Sequence, residues 1–274
     1  MPTQSPLPDP GTALHIGGLQ LRTLIKSGAT GSIHAAVDTA TGRMVAVKLF
    51  NHSPATADPG TPRYNPWEFI ASLNHPNIVK IFGTGCENGQ HYAIMELSSS
   101  GTLNTSQQHP LPRAITLARQ ILHALDHLHA HGQIHLDIKP GNLLLFPDNR
   151  LKVSDFGLMR PLRAPATRPM GSPGFMSPEQ IMGLPLDQRS DLFSLGVVLY
   201  RMVTGRSPFG GRGVSDIIYR TLLITPPQPA LLQPNLPTAL SHVIMQALTK
   251  RPSQRLTHAA DFLAVLDSLE IGTQ

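Results

Sequence analysis

The sequence predicts an α+β protein with a small N-terminal part built on an antiparallel sheet and a larger, mainly helical C-terminal part. Two observations carry this prediction. Residues 19–50 alternate apolar and polar side chains between glycines, as antiparallel strands do. Beyond Gly101 the apolar side chains recur at helical spacing instead. A chain of 274 residues can bury either one large core or two modest ones.

Residues 1–13 form a Pro-rich segment with few side chains to bury, and we predict a flexible tail here. Plain disorder or an expression remnant explains this segment better than a docking function does. Three strands follow within residues 19–50. The turn between the first two contains Gly28 and Gly31, and glycines let backbone amides approach a phosphate closely. Two glycines at this spacing are, on their own, more often an ordinary hairpin turn.

The third strand, Met44–Leu49, carries Lys48 within a strongly apolar run. A buried ammonium group without a partner is costly, so Lys48 needs an anionic partner, and nucleotide phosphates are a natural one. The alternative is a surface lysine on an edge strand. The segment 54–66 then reads as a loop, 67–73 as a short helix whose only acid is Glu68, and 78–82 and 91–97 as two further strands.

The helical part opens with an apolar stripe that runs from residue 114 to 131 and ends at Gly132. Histidines 123, 127, 129 and 131 on this helix suggest a metal site at first sight. No carboxylate triad or cysteine accompanies them, so a solvated helix face is the favoured interpretation. Further helices are predicted at 187–204, which is apolar enough to be buried, and at 259–269, which is amphipathic.

The stretch His135–Asn142 carries an acid, a cation and a carboxamide at fixed offsets. Asp137 can accept a proton from a hydroxyl nucleophile, Lys139 can neutralise phosphate charge and Asn142 can hold a divalent metal. A second acid, Asp155, opens the triplet Asp155-Phe156-Gly157 directly after a predicted strand at 151–154. Either motif alone is a weak signal, but together, in this order and spacing, they favour phosphoryl transfer.

These motifs resemble the catalytic loop and the metal-binding triplet of protein kinases, and the sequence is similar to bacterial Hanks-type serine/threonine kinases over residues 19–266. The resemblance implies a bilobal kinase domain at 14–270, with an N-lobe at about 14–97, a C-lobe at about 98–270 and ATP in the cleft between them. It also implies Asp137 as catalytic base, Lys139 on the transferred phosphate, and Mg²⁺ or Mn²⁺ held by Asn142 and Asp155. The implied nucleotide-binding residues are Gly28, Gly31, Ile33, Ala46, Lys48, Glu96, Ser98, Asn142 and Asp155.

The segment Gly171–Glu179 resembles the end of the activation loop in serine/threonine kinases. Ser172 stands where threonine is usual, and it still offers a hydroxyl to the catalytic acid and lysine. The resemblance pairs Glu179 with Arg255. It also implies that Asp191 anchors the backbone of the catalytic loop.

Three departures from the family pattern bear on activity. Lys26 replaces the first glycine of the phosphate loop. Glu68, which the family would pair with Lys48, lies two positions from the usual place, a rotation of about 200° on a helix, so an exposed glutamate near a helix start is the alternative. Leu136 replaces the arginine on which a phosphorylated activation loop docks. We therefore expect that phosphorylation at Thr167 is not required for activity.

The bulk composition narrows the remaining choices. The net charge of +5 is modest. The basic residues are scattered along the chain and few aromatic side chains are available to stack on bases, so nucleic-acid binding is not favoured. No apolar run is long enough to span a membrane, and no signal pattern opens the chain. The single cysteine, Cys86, cannot form an internal disulfide, which fits a reducing cytoplasm. A secreted effector without a recognisable signal is the alternative location.

The predicted function is transfer of the γ-phosphate of ATP to Ser or Thr hydroxyls of proteins, including the chain itself. The alternative is a catalytically weak, pseudokinase-like module that binds nucleotide or a partner. Neither a sensor domain nor an anchor follows the predicted domain, so we expect regulation to come from elsewhere. The protein substrate and the oligomeric state stay open.

Overall fold

The alternating segment near the N-terminus folds into antiparallel strands. They are β1 His15–Ile16, β2 Leu19–Gly28, β3 Gly31–Asp38 and β4 Met44–Phe50, followed by helix α1 at Pro66–Ser72 and by β5 Ile81–Glu87 and β6 Gln90–Met95. These six strands form one sheet in the order β1-β2-β3-β4-β6-β5. The computed structural model describes residues 15–54, 64–162 and 169–269. The tail predicted at 1–13 therefore lies outside the described residues.

Both faces of this sheet are covered because side chains alternate along β4. Val45 and Val47 join an apolar cluster formed with residues of β1, β2 and β3. Lys48 and Phe50 have the opposite parity and contact α1: the ring of Phe50 lies 5.2 Å from that of Trp67, edge to face, and Lys48 Nζ lies 4.9 Å from the Trp67 ring. Helix α1 thus buries Lys48 from the side away from the apolar cluster.

Helix α1 begins one residue earlier than predicted. The side chain of Asn65 accepts a hydrogen bond from Trp67 N at 3.1 Å and so caps the helix, while Pro66 occupies the first helical position, where its missing N–H is not needed. This start places Glu68 in the first turn.

The rest of the chain is mainly helical. The predicted apolar stripe is confirmed on the first long helix, where its members are fully buried. The elements are α2 Leu111–Ala130, β7 Gln133–Ile134, β8 Leu143–Phe146, β9 Arg150–Val153, β10 Arg160–Pro161, α3 Pro178–Met182, α4 Arg189–Thr204, α5 Val214–Leu223, α6 Pro229–Leu232, α7 Thr238–Ala247 and α8 Ala259–Asp267. The stripe residues are Ile115, Ala118, Ile121, Leu122, Leu125 and Leu128.

Helix α4 is the most buried of these helices, as its apolar sequence predicts. It approaches α7 so closely that a Cβ atom added to Gly196 would lie 2.9 Å from Ala247 Cβ. Glycine is therefore required at this contact. None of the helices within the described residues is both long enough and apolar enough to cross a membrane.

The chain divides into two compact units, Met1–Asn74 with Lys80–Ser98, and His75–Val79 with Ser99–Gln274. A sheet-rich unit with one helix and a mainly helical unit confirm the predicted α+β class. The segment 75–79 joins the second unit because Val79 N donates to Val153 O at 2.9 Å and Val153 N donates to Asn77 O at 2.8 Å. The strand predicted to begin at residue 78 consequently begins only at Ile81.

Candidate active site

Four polar side chains meet where the segment between β7 and β8 contacts the loop that precedes α3. Asp137 is 8% exposed, and its Oδ2 accepts hydrogen bonds from Lys139 Nζ at 2.7 Å and from Asn142 Nδ2 at 2.8 Å. Its Oδ1 accepts from the Ser172 hydroxyl at 2.9 Å, and Lys139 Nζ also donates to that hydroxyl at 2.5 Å. The predicted bonding of Ser172 to Asp137 and Lys139 is confirmed.

A buried carboxylate on α4 holds the backbone of this segment. Asp191 is fully buried, and it accepts hydrogen bonds from His135 N at 2.9 Å and Leu136 N at 2.7 Å. Burial by itself would raise the pKa of Asp191, but the hydrogen bond and charge of His129, 2.9 Å away, together with His135, hold that pKa below its usual range. The predicted anchoring role of Asp191 is confirmed, and its carboxylate stays ionised.

Leu136 adopts a backbone conformation that its side chain does not favour. Its φ of 65° lies in the left-handed region, and its side chain is 3% exposed. Two hydrogen bonds offset this strain: the one from its amide to Asp191, and one from Gln180 Nε2 to its carbonyl at 2.9 Å. The apolar, buried side chain confirms that no cation occupies the position where the family places an arginine.

The ring of His135 connects the segment to the strand that precedes Asp155. It is fully buried, its Nδ1 accepts from Asp137 N at 3.2 Å, and its Nε2 lies 3.1 Å from Ser154 O. Since Nδ1 acts as an acceptor, Nε2 carries the proton and donates to the carbonyl. His135 thereby fixes the backbone of Asp137 relative to Ser154, the residue before Asp155.

Asn142 has the features expected of a metal ligand. It is fully buried, its amide nitrogen donates to Asp137 O at 2.9 Å and to Asp137 Oδ2, and its Oδ1 has no hydrogen-bond partner within the described residues. A buried amide oxygen without a donor is a ready ligand for a hard divalent cation. Asp155, in the left-handed region at φ 63°, supplies a half-buried carboxylate of the same chemical type. The residues present therefore fit a divalent metal ion.

The phosphate-loop glycines lie opposite each other at the ends of β2 and β3, separated by a two-residue turn. Gly31 has a φ of 144°, and an added Cβ would lie 1.9 Å from Leu49 O, so strand packing alone demands glycine there. Among the described residues nothing lies within 4 Å of a Cβ added to Gly28, so packing does not require glycine there. The structure thus explains Gly31 by strand packing, and the phosphate role of both glycines stays a prediction.

The other predicted nucleotide-binding residues of the first unit lie on β3, β4 and the end of β6. Ile33 pairs with Lys48, and Ala46 pairs with Met95. Lys48 is only 2% exposed, so it is not the surface lysine of the alternative interpretation. Two residues near the end of the unit are half-buried: Glu96, whose carboxylate accepts from Lys80 N at 2.7 Å, and Ser98.

Glu68 takes the place described by the alternative interpretation. It is exposed in the first turn of α1, and its carboxylate accepts a hydrogen bond from Asn65 Nδ2 at 2.8 Å. A glutamate here also interacts favourably with the positive end of the helix dipole. The predicted pairing with the buried Lys48 is therefore not favoured by this geometry, because the helix start turns Glu68 toward solvent.

A buried ion pair ties helix α3 to the segment between α7 and α8. Arg255 binds Glu179 bidentately, at 2.6 and 2.8 Å, and both side chains are almost completely buried. This pair confirms the prediction. Sequence reasoning missed Gln180, although the capping box from Ser177 to Gln180 signals both the helix start and a constrained side chain.

The interpretation of the α2 histidines as a solvated face is wrong for two of them. His129 contacts Asp191, with 9% of its side chain exposed, and His127 is stacked on His75 at 4.8 Å between ring centroids. His123, by contrast, is exposed. Within the described residues no group of three or more His, Cys, Asp or Glu side chains is placed to hold a metal ion. Packing against α4 and the 75–79 segment accounts for these two half-buried rings.

The sequence is similar to known proteins over most of its length. Residues 19–265 match the family model described as protein kinase domain. The chain is 36% identical over 275 residues to a probable serine/threonine-protein kinase PknB of Bifidobacterium longum, covering 92% of this chain and 39% of that protein. It is 33% identical over 279 residues to serine/threonine-protein kinase PknA of Mycobacterium tuberculosis, covering 93% and 62%. For PrkC of Bacillus subtilis the identity is 31% over 258 residues, covering 90% and 40%. The chain thus spans about two fifths to three fifths of the length of these relatives.

Proposed function

Because this chain belongs to the protein kinase family, we propose that it transfers the γ-phosphate of ATP to serine and threonine hydroxyls of proteins, including its own. The family uses ATP with a divalent metal ion, and we propose Mg²⁺ or Mn²⁺ as that ion. The curated relatives are serine/threonine-protein kinases by name. One observation carries the proposal: the carboxylate of Asp137 already accepts a hydrogen bond from a serine hydroxyl, that of Ser172.

The residues of the second unit divide the work of the transfer. Asp137 would orient the incoming hydroxyl and accept its proton, with Oδ2 held in place by Lys139 and Asn142. Lys139, 2.7 Å from that carboxylate, would also neutralise charge on the transferred phosphoryl group. A divalent cation held by Asn142 and Asp155 would neutralise charge on the phosphate oxygens.

In the first unit, the predicted role of Lys48 is to bind the nucleotide phosphates. Its ammonium group is buried against two aromatic rings, at 4.9 Å from Trp67 and 5.6 Å from Phe50. Such contacts stabilise a cation at this position and support its role as a fixed positive charge for an anionic ligand. We also propose a cytoplasmic location, where an exposed free thiol such as Cys86 stays reduced.

The test is phosphate transfer from γ-labelled ATP, with Mg²⁺ or Mn²⁺, to one basic and one acidic generic protein substrate. Asp137→Asn and Lys48→Met run beside the wild type, and each variant is checked for folding by circular dichroism. We expect label on serine and threonine in the wild type, with a loss of about 10²-fold or more in Asp137→Asn. Nucleotide-dependent thermal stabilisation without any transfer would instead indicate a binding module.

A further inference from the structure

A small cavity of about 280 Å³ lies directly beside residues 135–142, the proposed catalytic segment, within the second unit. Its walls come from the 103–106 loop, from Lys139 and the two residues after it, and from Phe175 with Arg201. Pockets for whole small molecules usually measure about 300–1,000 Å³. A volume just below this range suits a single side chain of a bound polypeptide.

The lining of this cavity, which we call the Arg201 pocket, is positively charged. Among the described residues that form it, Lys139 and Arg201 are cations and none is acidic. Lys139 is already paired with Asp137, whereas none of the ion pairs found among the described residues involves Arg201. The guanidinium carbon of Arg201 lies 5.3 Å from the centre of the Phe175 ring, which holds the group in place. Arg201 is thus a half-buried cation, held by the Phe175 ring, for which the described part of the chain shows no anion.

Burial has a measurable consequence for Arg201. Desolvation lowers the pKa of its guanidinium group, although the group stays charged at any physiological pH. A charge that is partly removed from water gains most from a partner of opposite sign. An anionic group in the pocket would supply it.

Thr105 provides a second, independent sign of a missing ligand. Its side chain is only 3% exposed, it lines the same pocket, and its Oγ1 has no hydrogen-bond partner within the described residues. Its neighbours differ: Asn104 Oδ1 accepts from both the amide and the hydroxyl of Ser106, at 2.9 and 2.6 Å. Buried hydroxyls are rarely left unbonded, and this one is available to donate to an oxyanion.

We propose that the Arg201 pocket binds an anionic side chain, carboxylate or phosphate, of the protein substrate, a few residues from the serine or threonine that is phosphorylated. The inference rests on the proposed kinase function and names the substrate class for it. Lys139 connects the two sites, since its ammonium group contacts Asp137 while its side chain forms a wall of the pocket. A peptide whose hydroxyl reaches Asp137 therefore passes the pocket. Charge complementarity with Arg201 selects acidic sequences and rejects basic ones.

The experiment compares peptides that carry one central serine and, at each flanking position in turn, Glu, phosphoserine, Gln or Lys. In the wild type we expect kcat/KM for Glu or phosphoserine to exceed that for Gln by roughly tenfold at one or two positions, mainly through KM. The Glu and phosphoserine arms distinguish a carboxylate from a phosphate ligand. A pocket that prefers one of them by tenfold or more is assigned to that group.

Variants separate recognition from folding. Arg201→Glu should reverse the preference at the same positions, so that Lys becomes better than Glu, and Arg201→Gln should abolish it. Thr105→Val should weaken the preference for Glu without reversing it. Arg220→Gln is the matched control, because Arg220 is a more exposed arginine on α5 that pairs with Asp216, and it should keep the wild-type preference. A merely structural role for Arg201 would lower activity without reversing the charge preference.

Two outcomes overturn the inference. Transfer to peptides without any charge preference, or a preference that persists in Arg201→Glu, rejects the pocket while leaving the kinase function intact. Absence of transfer to every peptide and to the generic proteins rejects the kinase function, and the pocket assignment falls with it. If both Arg201 variants fail to fold by circular dichroism, Thr105→Val decides, and an unchanged preference in that variant counts against the pocket.

Discussion

The buried pair of Glu179 and Arg255 offers the strongest stability test in the second unit. Glu179→Gln keeps the shape of the side chain but removes its charge. Arg255 then remains buried with an amide where it had a carboxylate at 2.6 and 2.8 Å. The hydrogen bond that Ser190 Oγ donates to the same carboxylate, at 2.7 Å, is weakened at the same time.

The loss of stability in Glu179→Gln depends on the hydrogen bonds that Arg255 keeps. Removing one partner of a buried pair costs about 3–5 kcal/mol. Arg255 keeps three backbone acceptors, Thr249 O at 2.9 Å, Lys250 O at 3.0 Å and Arg189 O at 3.2 Å, so we expect Glu179→Gln near the lower end of that range. Arg255→Met should lower the free energy of unfolding by more, because the buried Glu179 carboxylate and these three carbonyls all lose the same donor.

Urea unfolding can report the two units separately. The only tryptophan, Trp67, lies in the first unit, whereas most of the helix lies in the second. Circular dichroism should therefore follow the second unit, and tryptophan fluorescence the first. With slopes of about 1–3 kcal/mol per molar urea, a loss of about 3 kcal/mol lowers the dichroism midpoint by roughly 1 M or more. Arg220→Gln, which alters a more exposed pair, should leave the midpoint unchanged.

The pH dependence of unfolding provides a second test of the Glu179–Arg255 pair. Burial alone would raise the pKa of Glu179, but the hydrogen bonds and charge of Arg255 outweigh it and hold the pKa below its ordinary value of 4.5. As pH falls, the unfolded chain binds this proton first, so the contribution of the pair is complete above about pH 4.5 and is lost as pH drops through the depressed folded value. Glu179→Gln should lack this part of the acid dependence. A midpoint shift in Glu179→Gln that corresponds to less than about 1 kcal/mol would show that the pair is replaceable.

Three further predictions concern the metal ligand, the histidines and the activation loop. Asn142→Leu and Asn142→Asp both lose the hydrogen bonds to Asp137, but only the Asp variant keeps an oxygen ligand. Mn²⁺ affinity in the presence of ATP should therefore weaken at least roughly tenfold in the Leu variant alone. Calorimetry measures this affinity. Burial, with neighbouring histidine charge, lowers the pKa of His75 and of His127, so the unfolded chain takes up these protons first and stability should fall as pH drops below about 6.5. Thermal unfolding followed by circular dichroism should show a flatter pH dependence in His127→Gln. Thr167 lies outside the described residues, and because Leu136 offers no cation, Thr167→Ala should keep its turnover within about tenfold of wild type in the labelled-ATP assay, or about 1.4 kcal/mol of barrier.

Local patterns in the sequence were enough to single out the polar cluster at residues 137–142, whose catalytic role stays a prediction. Asp137, Lys139 and Asn142 lie within six residues, so the short chain between them brings their side chains together. The pairing of Glu179 with Arg255 came from a family motif, since 76 residues separate the two.

The wrong prediction for the α2 histidines has a physical cause, which is that their burial depends on how helices pack. His129 was predicted to be solvated because the sequence pattern of its own helix contains no information on its contact with Asp191, which lies 62 residues further along the chain. Glu68 is the instructive exception, because Asn65 and Pro66 mark a helix start in the sequence itself. Counting from that start would have placed Glu68 in the solvent-facing first turn.

One face of helix α4 joins helix α3 to the Arg201 pocket. Ser190, Ser194 and Arg201 lie at 0, 4 and 11 positions along the helix, which at about 100° per residue puts them within about 40° of each other. Ser190 binds Glu179, while Ser194 binds Phe175 O at 2.8 Å and Arg201 lies against the ring of the same phenylalanine. Phe175 is thus held by its backbone and its ring together.

This arrangement predicts that specificity and catalysis can be separated. Asp191, which holds the catalytic segment, lies ten positions before Arg201, or about 15 Å along the axis of a helix that is buried almost throughout. A substitution at Arg201 removes one contact of Phe175 but leaves the Ser194 bond to its carbonyl and the Asp191 bonds to the catalytic backbone. The sign of the charge in the pocket can therefore change while the backbone before Asp137 stays anchored by Asp191, which is why reversal of substrate preference, rather than loss of activity, is the informative result for Arg201→Glu.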